Sequence, residues 1–221
     1  MTSLAAWSAK GIDNMKKSMN IPNVLSLVRV LLVPVFVVTL LFMYEIKYVG
    51  YIVPALVFVI TALTDMFDGK IARKYNLVTD FGKFIDPLAD KFMVLSSQIA
   101  LLVWMLLHGQ RVLAMVFVWV VLVILLRELG VTSLRLVVAG KSGIVVAASM
   151  LGKIKTVSQM VGTVLIILEP IFAYFPDIAF FSFMWEYHIV AYISMAVMAF
   201  TTLFSGIDYL RAYLPYIDSN K

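Results

Sequence analysis

Charge is sparse in this chain, and its spacing limits what can fold. Between Ser18 and Glu45 the only Asp, Glu, Lys or Arg is Arg29, and Phe92–Gln110 and Tyr187–Ile207 contain none of the four. About 20 consecutive apolar residues carry a helix across a bilayer core, where each backbone polar group must be satisfied within the segment. Such runs recur over all 221 residues, so a single cleavable signal cannot account for them. The chain is 62% hydrophobic and 14% charged, with mean hydropathy +0.98, against about a quarter charged in soluble domains. The expected fold is an all-α integral membrane protein with six transmembrane helices near 23–43, 50–74, 86–107, 111–137, 154–174 and 188–212. Residues 1–19 form a cytoplasmic leader or a short interfacial helix through Leu4, Trp7 and Ile12, and 20–221 form a single domain. Cysteine is absent, which excludes disulfides and cysteine zinc sites.

Basic residues set the expected orientation. They gather before the first span, around the second connection (Lys70, Arg73, Lys74, Lys83, Lys91), around the fourth (Arg127, Arg135, Lys141, Lys153, Lys155) and after the last span. The alternate connections carry only Lys47 and Arg111, and the fifth holds Glu169, Asp177 and Glu186. Lys and Arg favour the cytoplasmic side, so both termini and the second connection are placed there. Arg29 is counted among these topological charges. The net charge of +5 is read as topology and anionic-lipid contact, with no nucleic-acid partner.

The second connection holds "TDMFDGKIARKYNLVTDFGKFIDPLADK", with five aspartates. Asp65 and Asp68 are three apart near the end of the second span, and Asp86 and Asp90 four apart at the start of the third. Each pair therefore shares a helix face, and a short hairpin brings the pairs together. Four bare carboxylates in partial burial repel strongly. Divalent cations remove the conflict, and oxygen-only ligands suit Mg²⁺ or Mn²⁺. Magnesium commonly shares its shell with substrate phosphates, so the cluster reads as a metal-diphosphate site. Solvated juxtamembrane charges need no helical register, which weighs against the plainer reading.

The pattern Asp65-x-x-Asp68-Gly69-x-x-Ala72-Arg73, eight residues, then Gly82-x-x-x-Asp86-x-x-x-Asp90 resembles the signature of the CDP-alcohol phosphotransferases at every position. The resemblance implies that Asp65, Asp68 and Asp86 hold two Mg²⁺ (or Mn²⁺) ions on a CDP diphosphate. It implies that Asp90 is both ligand and general base, and that Gly69, Ala72, Arg73 and Gly82 contact the CDP moiety. A homodimer in the cell (inner or plasma) membrane is implied too.

The acceptor is read from other bases. Arg127 and Arg135 are eight apart and share a face. With Lys153 and Lys155 they form a basic pocket suited to an acceptor that already carries a phosphate. "NIPNVLSLVR", "RELGVTSLR" and "LGKIKT" also resemble segments of bacterial phosphatidylglycerolphosphate synthases. That implies CDP-diacylglycerol as donor and sn-glycerol 3-phosphate as acceptor. Asn23, Ser26 and Thr79 line the nucleotide site, or equally serve as helix caps. The alternatives are a phosphatidyltransferase for inositol phosphate or serine, and an intramembrane prenyltransferase. A cation transporter fits poorly, because the aspartates mark no path across the bilayer. His108 and His188 receive no role.

Overall fold

The computed structural model describes residues 20–74, 79–142 and 149–217; side chains at 21, 22, 66–74, 80, 83, 141, 142 and 217 lie outside that description. The chain runs α1 (Ile21–Phe42), α2 (Val49–Lys74), α3 (Asp80–Leu107), α4 (Arg111–Ser142) and α5 (Met150–Leu168). A 3₁₀ segment (Glu169–Tyr174), α6 (Ala179–Glu186) and α7 (Ile189–Ile217) follow. Among the described residues, five helices are long and apolar enough to cross a membrane, and α2 adds the shorter apolar stretch Val49–Asp65. The fold is that of an all-α membrane protein. The expected leader or interfacial helix at 1–19 lies outside the described residues.

Side-chain caps explain several boundaries that the sequence reading placed differently. α3 begins at Asp80, six residues before its expected start, because the Thr79 hydroxyl accepts the Gly82 N–H at 3.0 Å. Asp86 and Pro87 therefore sit in the second turn of α3. Asn20 caps α1, accepting the Asn23 N–H at 3.2 Å. Ser149 caps α5 by accepting the Gly152 N–H at 3.1 Å. A side-chain oxygen at this position satisfies an amide that has no partner within the helix. α4 and α7 each run five residues beyond their expected ends, and the fifth connection folds into the short aromatic helix α6.

α1 packs along α2 and α3, while α7 packs along α4 and α5; contacts of α2 with α5 and of α3 with α4 join the two sets. Lipid gives helices no hydrophobic reason to associate, so close packing and polar contacts must hold them. The α5–α7 seam uses both. Gly162 lets Met198 approach so closely that an added Cβ would lie 3.0 Å from its Sδ, and a Cβ at Gly152 would lie 3.2 Å from the Tyr209 hydroxyl. Between them, Ser158 and Thr201 share a hydrogen bond of 2.6 Å and Gln159 donates to Thr202 at 3.1 Å. The small residues Ser158, Gly162 and Gly152 thus pack this seam. Large apolar side chains point outward, among them Phe42, Trp119 and Leu126, as a lipid-facing surface requires.

His108 stacks on Trp104 at 4.4 Å and meets Tyr44 edge-on at 4.3 Å. His188 sits edge-on to Trp185 at 4.9 Å, with burial lowering its pKa. Both stand at the helix ends opposite the aspartates.

Candidate active site

A polar stripe on the first three turns of α1 runs along the aspartate face of α3. At the base, Asn23 Nδ2 donates to Thr79 Oγ1 at 2.7 Å. A Cβ on Gly82 would fall 2.6 Å from Asn23 Oδ1, so the missing side chain is what lets α1 and α3 meet. One turn higher, Ser26 donates to Asp86 Oδ1 at 2.6 Å. One turn higher again, Arg29 Nη1 donates to Asp90 Oδ1 at 2.5 Å and reaches Asp65 Oδ1 of α2 at 2.6 Å. The steps 23, 26, 29 and 82, 86, 90 are helical steps of three and four, which keep each series on one face.

Asn23, Ser26 and Arg29 are all buried, Arg29 completely, whereas the Asp65 and Asp90 side chains are 30% and 53% exposed. The stripe is thus a dry backing, and the carboxylates look outward from it. Arg29 is a correction to the sequence reading, since a fully buried guanidinium bonded to two carboxylates is not a juxtamembrane charge. Asn23 and Ser26 do not cap a helix; Thr79 does, and it also ties α3 to α1.

The carboxylates open onto a cleft of about 440 Å³ at one end of the helix bundle. Its lining joins Asp65, Asp86 and Asp90 to Arg127, Glu128 and Arg135 of α4, Lys155 of α5 and Tyr209 of α7. Arg127 donates to Glu128 at 3.0 Å and to Ser205 at 2.7 Å, and stacks over Tyr209 at 5.1 Å. Arg135 lies over the same ring at 5.9 Å. Lys155, nearly buried, donates to Glu128. Lys153 is more peripheral, lining an apolar groove of about 920 Å³ between α2 and α5. That groove shares Asp65, Asp90, Arg127 and Arg135 with the cleft, and Ala62, Val157 and Val161 extend it.

The structure therefore brings three expected aspartates and three expected bases to one cavity. The side chains of Asp68, Gly69, Ala72 and Arg73 lie outside the described residues; their backbone continues α2. Glu128 escaped the sequence reading. The signal was present, because an acid inside a span is a candidate site by default, but its neighbour Arg127 makes the pair look neutral. Among the described residues no three acidic or histidine side chains close into a ligand cluster, with Arg29 standing between Asp65 and Asp90. The donor set nevertheless fits a hard divalent cation, since it offers carboxylate oxygens from two facing helices at one cleft.

Comparison with known proteins points the same way. The model of the CDP-alcohol phosphatidyltransferase family matches residues 19–206. A Bacillus subtilis protein named CDP-diacylglycerol–glycerol-3-phosphate 3-phosphatidyltransferase is 42% identical over 159 residues, covering 68% of this chain and 77% of its own. A Mycobacterium tuberculosis H37Rv protein named probable phosphatidylglycerophosphate synthase is 35% identical over 195 residues, covering 88% and 82%. A Salmonella paratyphi A protein with the same name as the Bacillus one is 36% identical over 201 residues, covering 87% and 94%.

Proposed function

This chain belongs to the CDP-alcohol phosphatidyltransferase family, and from that premise we infer that it transfers a phosphatidyl group from CDP-diacylglycerol to sn-glycerol 3-phosphate. One observation carries the reading furthest: a carboxylate wall and a basic wall face each other across one cleft beside a largely apolar groove.

The family is generally dependent on divalent metal. Asp65, Asp86 and Asp90, with Asp68 by its place in the motif, are the residues that would hold it, as two Mg²⁺ or Mn²⁺ ions. Bound there, the metal supplies positive charge to the donor diphosphate and to the leaving CMP. Asp90 is more exposed than Asp65 and accepts the proton of the attacking acceptor hydroxyl. As the new O–P bond forms, the P–O bond to CMP breaks, giving phosphatidylglycerol phosphate and CMP. The nucleotide lies toward Gly69, Ala72, Arg73 and Gly82. Asn23, Ser26 and Thr79 serve it by fixing α3 against α1. The acyl chains occupy the groove between α2 and α5.

The acceptor phosphate lies against Arg135 and Arg127, with Lys155 and the more distant Lys153. Arg135 is the cleanest probe, because its contact with Tyr209 leaves its guanidinium available to the cleft. Arg135→Ala is expected to raise the KM for glycerol 3-phosphate by about one to two decades, since a hydrogen bond to a charged group contributes roughly 1.5–3 kcal/mol. Arg127→Ala should do the same and also reduce stability, through Glu128 and Ser205. The decisive test is an acceptor panel with purified protein, CDP-diacylglycerol and Mg²⁺, with CMP release as readout. Glycerol 3-phosphate should be the productive alcohol. Turnover with serine or inositol phosphate instead would keep the family and replace the reaction.

The reading places the cleft and both termini on the cytoplasmic side of the cell membrane, in a homodimer as the family resemblance implies. The Lys/Arg asymmetry supports the orientation. The chain has no native cysteine, so single cysteines report position without background. Those at Asn76 and Asn220 should react only from the cytoplasmic side, and one at Asp177 only from outside. Labelling of position 76 from outside would invert the topology, and cross-linking that gives only monomer would remove the dimer.

A further inference from the structure

Arg29 is a positive charge held where the proposed function requires metal. It is the only charged residue between Ser18 and Glu45 and is completely buried. A guanidinium out of water must be paired and hydrogen-bonded to be tolerated. One carboxylate would suffice for that. Here one nitrogen, Nη1, serves two, Asp65 Oδ1 at 2.6 Å and Asp90 Oδ1 at 2.5 Å. The two belong to different helices and both open onto the cleft. Arg29 thus stands where two like charges would otherwise face each other.

A divalent cation drawn to the same carboxylates competes for the same oxygens and brings further positive charge beside Arg29. Both cations can be accommodated fully only when more negative charge arrives, and the donor diphosphate carries it. We propose that Arg29 is the resident counter-cation of this site. It keeps Asp65 and Asp90 together while metal is absent, and yields at least one of them when metal binds. Metal affinity is thereby held low until the nucleotide donor is present. Arg29 is a positioning residue in this scheme, acting through Asp65 and Asp90. The inference rests on the metal-dependent reading above.

The test is Mn²⁺ binding to purified protein without donor, read by the electron paramagnetic resonance signal of free Mn²⁺. Arg29→Gln should bind Mn²⁺ about tenfold more tightly or better, because a unit charge a few ångströms away contributes more than one decade even at a protein's effective dielectric. Its CMP release should fall. Arg29→Lys keeps the charge and should bind Mn²⁺ nearly as the native protein does.

A residue that only braces the fold would move affinity and activity in the same direction, so equal or weaker Mn²⁺ binding by Arg29→Gln overturns the proposal. Thermal unfolding gives an independent reading, with the variant purified in Mn²⁺. Arg29→Gln should lose Tm on chelation far more than the native protein and regain it with Mn²⁺; an equal deficit in both conditions also overturns the proposal. Native protein that binds no Mn²⁺, with or without CDP-diacylglycerol, removes the metal reading itself. Native binding with no change in the variant removes only the role of Arg29.

Discussion

Asp90→Asn should cut CMP release by about two to four orders of magnitude, the usual contribution of a positioned general base, while CDP-diacylglycerol still binds. The substitution keeps size and keeps an oxygen that can accept from Arg29, whose guanidinium also retains Asp65. The fold is therefore expected to survive and the deficit to lie in kcat. Asp90→Ala is a poorer probe, because it removes one of two carboxylates from a buried charge and invites loss of stability. Donor binding is best followed by the rise in Tm that CDP-diacylglycerol produces. An Asp90→Asn variant within tenfold of native turnover would show that the hydroxyl proton leaves by another route.

The second large effect is chelation. EDTA should reduce CMP release to the assay background, and Mg²⁺ or Mn²⁺ in excess should restore it. Asp65→Asn and Asp86→Asn each remove one negative charge from the donor set and should need more metal for half-maximal rate, with a lower ceiling. Asp86→Asn is the more conservative, since Ser26 can still donate to the remaining oxygen. Full turnover in EDTA would leave the carboxylates without the role proposed for them.

Much of the molecule is legible in the sequence, for physical reasons. Apolar runs have to become helices in a bilayer, so the main spans emerge within a few residues of where they lie. The aspartates stand out because charge inside such runs has to be compensated. Arg29 is illegible for the converse reason: a lone base near a span end reads as a topology marker, and only the packing of α1 on α2 and α3 reveals that it is enclosed. Glu128 hides beside Arg127, and its bond to Lys155 links residues that are remote in sequence. The start of α3 is obscured because Asp80 and Phe81 resemble loop, while the cap that begins the helix depends on a Thr79 oxygen also held by Asn23.

The two walls of the cleft have separate origins in the chain. Ser26 and Arg29, which bond the carboxylates, come from α1 and the carboxylates themselves from α2 and α3, whereas Arg127, Arg135, Lys155 and Tyr209 all come from α4, α5 and α7. Under the proposed function, substitutions after Arg111 can retune which alcohol is accepted while the chemistry encoded before it stays intact. A chimera that joins the first three helices of this chain to the later helices of a serine- or inositol-phosphate-specific relative is then the natural route to a new lipid headgroup.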